Sequence, residues 1–244
     1  SCTSLRVWGV RISTSYPASA SVRASFQTRW SNGFRNSRSQ ITPMRATLAA
    51  AGLRFNGRWW TFIGRTARRA MRILLVAGAR PNFIKIKPVH EQLARLEGVE
   101  PLLLHTGQHY DRRMSEVFFQ ELGIPEPDVN LGVGSGSHTR QTAEIMLRFE
   151  PVLAELAPYI VVVVGDVNST LACSLVCAKT GVPVAHVEAG LRSHNWEMPE
   201  EVNRVLTDRL AELLFTPSRD GDENLLREGI PAKQIHFVGN VMVD

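Results

Sequence analysis

The sequence predicts an α/β fold, a Rossmann-like parallel sheet flanked by helices, and three observations lead to it. From Met71 onward, short apolar runs alternate with longer amphipathic stretches, the pattern of βα units. "YIVVVVGD" (159–166) contains four consecutive valines, and a strand that is apolar on both faces belongs in the middle of a parallel sheet. Before Met71 there is no sustained amphipathic period, and the charge is of another kind. Residues 1–70 hold twelve Arg, no Lys and no Asp or Glu, a net +12; residues 71–244 hold sixteen Lys plus Arg against 23 acids, a net −7. The +5 of the whole 244-residue chain averages these two segments.

The first 70 residues admit three readings. "MRILLVAGAR" has the form of a start codon followed by a first strand, which would make the leader translated upstream sequence without a selected role. An Arg-rich, Ser-rich, acid-free stretch also has the composition of an organellar transit peptide, and a basic tail can bind nucleic acid or a membrane surface. Under each reading we expect these residues to be disordered or not native, outside the folded core.

The elements follow in order from Met71. "RILLVA" (72–77) is the first strand. Pro81 suits the first turn of the next helix, where its missing N–H is harmless, although Pro88 interrupts the period of "NFIKIKPVHEQLARL". "EPLLLH" (100–105) is the second strand. Helical period returns at 111–122 and 140–156, with the Gly/Ser loop "GVGSGSH" (132–138) between them. After the valine strand we expect a helix over 169–180, the strand "VPVAHV", a helix from Pro199 to about Leu213, the strand "LLFTP", a helix near 222–228 and the strand "IHFVGN". The 174 residues from Met71 suffice for one domain that buries roughly 70% of its unfolded-chain surface. On this reading the chain stops at "GNVMVD" immediately after a strand and with no closing helix, so we expect it to be cut.

Several function classes lose support. Cys173 and Cys177 lie four apart on one predicted helix face, and with Cys2 they form neither a disulfide framework nor a zinc spacing. The longest apolar runs fall far short of the roughly 18 residues that span a bilayer, so we expect no membrane partner. No G-x-G-x-x-G follows the first strand, which removes the signature of a nicotinamide dinucleotide site; "GVGSGS" follows no strand and reads as a loop. No nucleophile elbow supports Ser/His/Asp catalysis. His186 and Glu188 share a strand face, but two ligands do not make a metal site. We therefore expect neither metal nor cofactor.

In open α/β sheets ligands bind at the carboxyl ends of the strands, and the residues just after each strand form a coherent set. In "GARPNFIK", Gly78 permits a tight turn, a helix N-terminus offers N–H groups to an anion, and Arg80 and Lys85 add charge suited to phosphate; a plain turn with solvated basic residues is the alternative. Gln108 and His109 follow the second strand. Asp166 closes the valine strand, where it could also cap the next helix. Glu188 ends an apolar strand, so its carboxylate would be partly desolvated and suited to proton transfer; Arg192 could equally pair with it for structure. Glu200 and Glu201 sit behind Pro199 in a first helical turn, where the macrodipole favours acids, and Glu200 reaches Arg204 at i, i+4.

"GARPNFIKIKP", "TGQHYDRRMSEVFFQELGI", "GDVNSTLACSL", "HVEAGLRS" and "MPEEVNRVLTD", in this order from Met71 to Asp244, together resemble the N-terminal half of the non-hydrolysing UDP-N-acetylglucosamine 2-epimerases. The resemblance implies the N-terminal domain of a glycosyltransferase-B-like fold, two Rossmann-like domains with the site between them. The second, UDP-binding domain is expected to be absent from this chain, leaving it an inactive half. By motif match Asp166, Glu188 and Glu200 fall on the family's acidic catalytic positions, and Arg80 and Lys85 on basic substrate contacts. Gln108, His109 and Arg140 fall on a second, activating UDP-sugar site of bacterial members. The implied partner is a UDP-sugar, in a cytoplasmic enzyme of polysaccharide biosynthesis that is homodimeric at full length; nucleic acid is not expected. Three alternatives remain open: a diacetamido uronic-acid nucleotide epimerase, a hydrolysing epimerase, and a non-catalytic fragment or interaction module.

Overall fold

The computed structural model describes residues 3–7, 10–14, 70–107, 123 and 125–242. The sequence element at 111–122 lies outside these. Near the start, β1 (Thr3–Val7) and β2 (Val10–Thr14) form an antiparallel pair in which Val7 faces Val10. The sequence reading assigned no strands there, although Leu5, Val7, Val10 and Ile12 alternate with polar residues at the period of a strand.

The remaining described elements build one parallel sheet. In chain order they are β3 (Met71–Ala77), α1 (Arg80–Ala94), β4 (Val99–His105), β5 (Val129–Asn130), α2 (His138–Leu156), β6 (Ile160–Val164) and α3 (Asn168–Thr180). There follow β7 (Val184–Val187), α4 (Pro199–Leu210), β8 (Leu213–Thr216), α5 (Arg219–Arg227), a 3-10 turn (Ala232–Gln234) and β9 (Ile235–Phe237). The strand order is β5-β4-β3-β6-β7-β8-β9, with every pair parallel. The chain therefore winds outward from β3 to β5, returns to the other side of β3, and winds outward again. The reversal opens a crevice beyond the carboxyl ends of β3 and β6, where such sheets bind ligands.

The valine strand serves two cores at once. Val162 and Val164 pack with Ile73, Leu75 and the α1 residues Phe83, Ile86, Val89 and Leu93. Val161 and Val163 pack with Leu74, Val76 and residues of α2 and α3, among them Ile145, Phe149, Cys173 and Cys177. Alternate side chains point to opposite faces, so an unbroken apolar run fills both layers. Each fully buried aliphatic side chain contributes about 1.5–3 kcal/mol. Burial also pushes the Cys177 thiol up to about 12, consistent with a packing role.

Three local readings change. α1 runs straight through Pro88, because the buried stripe Phe83, Ile86, Val89 and Leu93 outweighs the lost backbone bond. α4 ends at Leu210 rather than near Leu213, where β8 already begins. α5 starts at Arg219, capped by Ser218, whose hydroxyl accepts from the Gly221 amide at 3.4 Å. β5 and the 3-10 turn have no separate sequence assignment, being only two and three residues long.

Candidate functional site

The crevice is built first by Asn82, a buried residue in the opening turn of α1. Its Oδ1 accepts from the Gly78 and Ala79 amides at 3.3 and 2.8 Å, while its Nδ2 donates to the Val164 carbonyl at 3.0 Å. This ties the turn after β3 to the end of β6. Gly78 is required by proximity: a Cβ there would lie 2.4 Å from Ser169 Oγ. Arg80 opens α1 on the exposed side, and Lys85 reaches back one turn later.

Lys85 Nζ meets Glu188 Oε2 at 2.5 Å, and both side chains are largely shielded from solvent. Glu188 follows β7 with φ of 70°, the left-handed region, which costs a non-glycine residue on the order of 1–3 kcal/mol. Such strain persists where surroundings over-determine the backbone. Val164 and Val187 pair in register, so the next residues, Gly165 and Glu188, are neighbours. A Cβ on Gly165 would come within 3.5 Å of Glu188 Oε2 and 3.8 Å of Lys85 Nζ. Glycine leaves space for the ion pair beside Asp166.

Asp166 does not cap α3; Val167 occupies the cap position and no side chain bonds there. Arg204 of α4 instead holds the Asp166 carboxylate, and Asn203 Nδ2 donates to the Asp166 carbonyl at 2.8 Å. Arg204 also bonds Glu201 at 3.0 Å, so the expected Arg204–Glu200 pair is replaced by pairs with Asp166 and Glu201. Glu201 is 1% exposed and accepts from the Ser193 amide and hydroxyl and the His194 amide. Burial raises its carboxyl, but those bonds and Arg204 outweigh burial and hold it below the ordinary range. The two adjacent glutamates thus differ completely. Glu200 faces a cleft of about 270 Å³ together with Ser135, Gly136, His138, Gln141, Asn168 and Asn203. Among the described residues, no hydrogen bond or ion pair holds its carboxylate.

That cleft contains residues the sequence reading passed over. Asn168 Nδ2 donates to Gln141 Oε1 at 2.7 Å, and Asn168 Oδ1 accepts from Asn203 at 3.3 Å. The Gly/Ser loop, read from the sequence as following no strand, comes just after the two-residue β5, and it is pinned. The Val133 and Gly134 amides donate to the Thr106 and Gly107 carbonyls, and Gln141 donates to the Gly134 carbonyl at 3.0 Å. Arg140 is exposed on the first turn of α2, one residue before Gln141. Gln108 and His109 lie outside the described residues. His105, just before them, stacks edge-on against Phe83 at 5.0 Å, and burial pushes its imidazole down to about 4.

Arg192 also departs from expectation. It pairs with Asp208 at 2.8 Å and Glu228 at 2.7 Å, not with Glu188. His186 turns away from Glu188: its Nδ1 meets Asp208 Oδ1 at 2.6 Å and its Nε2 donates to the Gly165 carbonyl at 2.8 Å. A signal for this buried polar layer was present in α4. Glu201, Arg204 and Asp208, at i, i+3 and i+7, occupy one helix face where an ordinary amphipathic helix carries apolar residues.

The arrangement offers carboxylates of distinct character around one crevice, with cations beside two of them. That combination suits proton transfer coupled to departure of an anionic group. Among the described residues, no group of three metal-ligating side chains converges and no helix is long and apolar enough to cross a membrane.

Known proteins share this arrangement of sequence. A homologue of UDP-N-acetylglucosamine 2-epimerase from Methanococcus maripaludis is 49% identical over 174 residues, 71% of this chain and 48% of its own. The UDP-2,3-diacetamido-2,3-dideoxy-D-glucuronate 2-epimerase of Pseudomonas aeruginosa is 46% identical over 176 residues, covering 71% and 50%. The crystal structure of Methanocaldococcus jannaschii UDP-GlcNAc 2-epimerase in complex with UDP-GlcNAc and UDP superimposes with a TM-score of 0.67. It is 45% identical, over 70% of this chain and 47% of that one. The chain thus spans about half the length of the relatives it matches. Residues 91–244 also match the family described as UDP-N-acetylglucosamine 2-epimerase, and on this match and these relatives the chain belongs to that family.

Proposed function

We propose that this chain forms the N-terminal domain of an enzyme interconverting UDP-N-acetylglucosamine and UDP-N-acetylmannosamine. The observation that carries the proposal is the convergence of Lys85 and Glu188 beside Gly165 and Asp166 at the topological switch, with Glu200 facing the adjoining cleft. In this reading residues 71–244 are one half of a glycosyltransferase-B-like pair of domains, and residues 1–70 stand outside its core. The full-length enzyme is a cytoplasmic homodimer. Gln108, His109 and Arg140 contribute to a second UDP-sugar site.

The chemistry explains the crowd of carboxylates. The proton at carbon 2 is not acidic, because the anomeric carbon is held as a glycosyl phosphate rather than a carbonyl. As the bond between carbon 1 and the UDP oxygen breaks, its electron pair leaves with UDP and positive charge grows on carbon 1. The neighbouring C–H is thereby acidified; a carboxylate takes the proton and its electrons form the glycal double bond. Return of a proton to the opposite face of carbon 2, with UDP oxygen adding to carbon 1, gives the epimer and no net redox change. Asp166, Glu188 and Glu200 are the proton-transfer groups of this scheme, and Arg80 and Lys85 offset charge on the departing diphosphate.

The P. aeruginosa relative supports a second substrate, a diacetamido uronic-acid UDP-sugar, which the same elimination would serve. The test is to join this chain to the second half of the M. jannaschii relative and offer both nucleotide sugars. Epimerised UDP-sugar is expected from the joined protein and negligible turnover from residues 1–244 alone, because transition-state binding is shared between the domains. Turnover by the isolated chain, or none by a folded joined protein, would count against the proposal.

A further inference from the structure

The turn that presents Glu188 has a second anchor, on the side away from Lys85. Four alternate residues, His186, Glu188, Gly190 and Arg192, run through it, and three of them converge on one carboxylate. Asp208 is fully buried in α4. Its Oδ1 meets His186 Nδ1 at 2.6 Å; its Oδ2 accepts from the Gly190 amide at 3.0 Å and meets Arg192 Nη1 at 2.8 Å. His186 continues the chain of bonds to the Gly165 carbonyl. Both His186 ring nitrogens therefore face oxygen acceptors.

These contacts bracket Glu188 from two residues before it, two after it and four after it. The chain beyond cannot easily relax elsewhere. Gly190 has φ of 82°, and a Cβ on it would lie 2.4 Å from the Gly221 carbonyl oxygen. The Ala189 amide donates to the Phe215 carbonyl at 3.1 Å, and Asn224 Nδ2 donates to the Gly190 carbonyl at 2.9 Å. Glu188, by contrast, holds a left-handed backbone without being glycine. A left-handed Glu must be held by its surroundings, and Asp208 supplies bonds on both sides of it.

We propose that Asp208 is a positioning residue for Glu188: by binding His186, Gly190 and Arg192 together it keeps the Glu188 backbone left-handed, aiming the carboxylate at Lys85 and the crevice. This rests on Glu188 being a proton-transfer group, but the backbone claim can be tested without turnover. Burial alone would raise the Asp208 carboxyl; His186 and Arg192 outweigh it and keep the group below the ordinary carboxylate range, so it stays an acceptor near neutrality. Asp208→Asn keeps the shape but turns an amide toward one of the donors.

The experiment is solution NMR of the isotope-labelled 244-residue chain, wild type and Asp208→Asn. A left-handed residue brings its amide and α hydrogens closer than an extended one and gives a stronger intraresidue cross-peak. In the wild type, Glu188 should show that strong peak. So should Ala157, left-handed at the end of α2 with φ of 45° and serving as the internal control. In Asp208→Asn the Glu188 peak should fall to the level of the β7 residues while Ala157 is unchanged. If the variant does not fold, Arg192→Leu, which removes one donor and leaves two, should weaken the Glu188 peak partially. A folded Asp208→Asn chain whose Glu188 peak matches wild type overturns the proposal, as does an unchanged peak in Arg192→Leu when only that variant folds. In the joined two-domain protein, Asp208→Asn should lower kcat by about 10²-fold, the scale of a small misplacement, with KM little altered. If the NMR result holds while Glu188→Gln leaves turnover intact, the clamp stands and the catalytic role of Glu188 falls.

Discussion

The turn after β7 and the first turn of α4 each bring a carboxylate toward the crevice, but they hold it in opposite ways. Glu188 is fixed at both levels, its side chain by Lys85 and its left-handed backbone by a bracketing set of buried bonds. Glu200 rests on a helix whose backbone is secure while its carboxylate has no partner among the described residues; the neighbouring Glu201 takes the structural bonds instead. One group is preorganised beside a cation and the other is left to respond to a ligand. Under the proposed function, fixing the first would place a proton-transfer group and its countercharge together, while the second would meet the ligand without disturbing a structural bond.

The largest expected effects test that division directly. In the joined two-domain protein, Glu188→Gln, Asp166→Asn and Glu200→Gln should each lower kcat by about 10²–10⁴, the usual worth of general acid-base catalysis. Steady-state kinetics on each variant would check this. If Glu200→Gln alone retains wild-type turnover, Glu200 is a helix-dipole residue and the proton transfers fall to Glu188 and Asp166.

Stability should show the reverse order. Glu201→Gln leaves Arg204 and the 193–194 turn with a weakened partner in a buried site, and breaking a buried charge network costs about 3–5 kcal/mol. Glu200→Gln should cost only about 0.3–1 kcal/mol, the scale of a first-turn acid. Denaturant unfolding of the 244-residue chain compares the two, and similar losses would erase the contrast.

The pH dependence separates the regions again. His105 is held neutral down to about 4 by burial, so between its ordinary value near 6.5 and that point the unfolded chain binds the extra proton. Stability should therefore fall by roughly 3 kcal/mol as pH drops from 6.5 to 4, and His105→Gln should flatten that limb. Glu201 and Asp208 act lower. Their carboxyls are depressed, so their contribution is complete above the ordinary carboxylate range and is lost as pH falls through the folded values. Denaturation curves at stepped pH distinguish the two limbs.

How far the sequence carried these conclusions depends on which residues speak through periodicity. The sheet from β3 to β9 was legible because apolar runs and helical faces have distinct periods, and the positions after each strand led to Lys85, Asp166 and Glu188. Asp208 and the Asn168–Gln141–Asn203 set were not singled out, and Arg204 was read only as a partner of Glu200, since a buried polar partner is chosen by tertiary neighbours up to 38 positions away. The left-handed backbone at Glu188 had no local signal, because glycine, the usual marker, stands two residues later. Pairing rules based on spacing favoured Arg204 with Glu200, but the i, i+3 neighbour Glu201 won because it is buried and the cleft residue is not.

The smallest effect concerns the leader. A chain beginning at Met71 should keep the unfolding midpoint of the 244-residue chain, and a large drop in Tm on removing residues 1–70 would place them in the core after all.

The most direct test of the central claim, that these carboxylates exchange the proton at carbon 2 during elimination and return of UDP, is to run the joined protein in heavy water and analyse the product sugar by mass spectrometry and NMR. One deuterium at carbon 2 of the epimer, with none elsewhere on the ring and its uptake lost in Glu188→Gln, is the expected result. Epimer formed with the original hydrogen still at carbon 2 would contradict it.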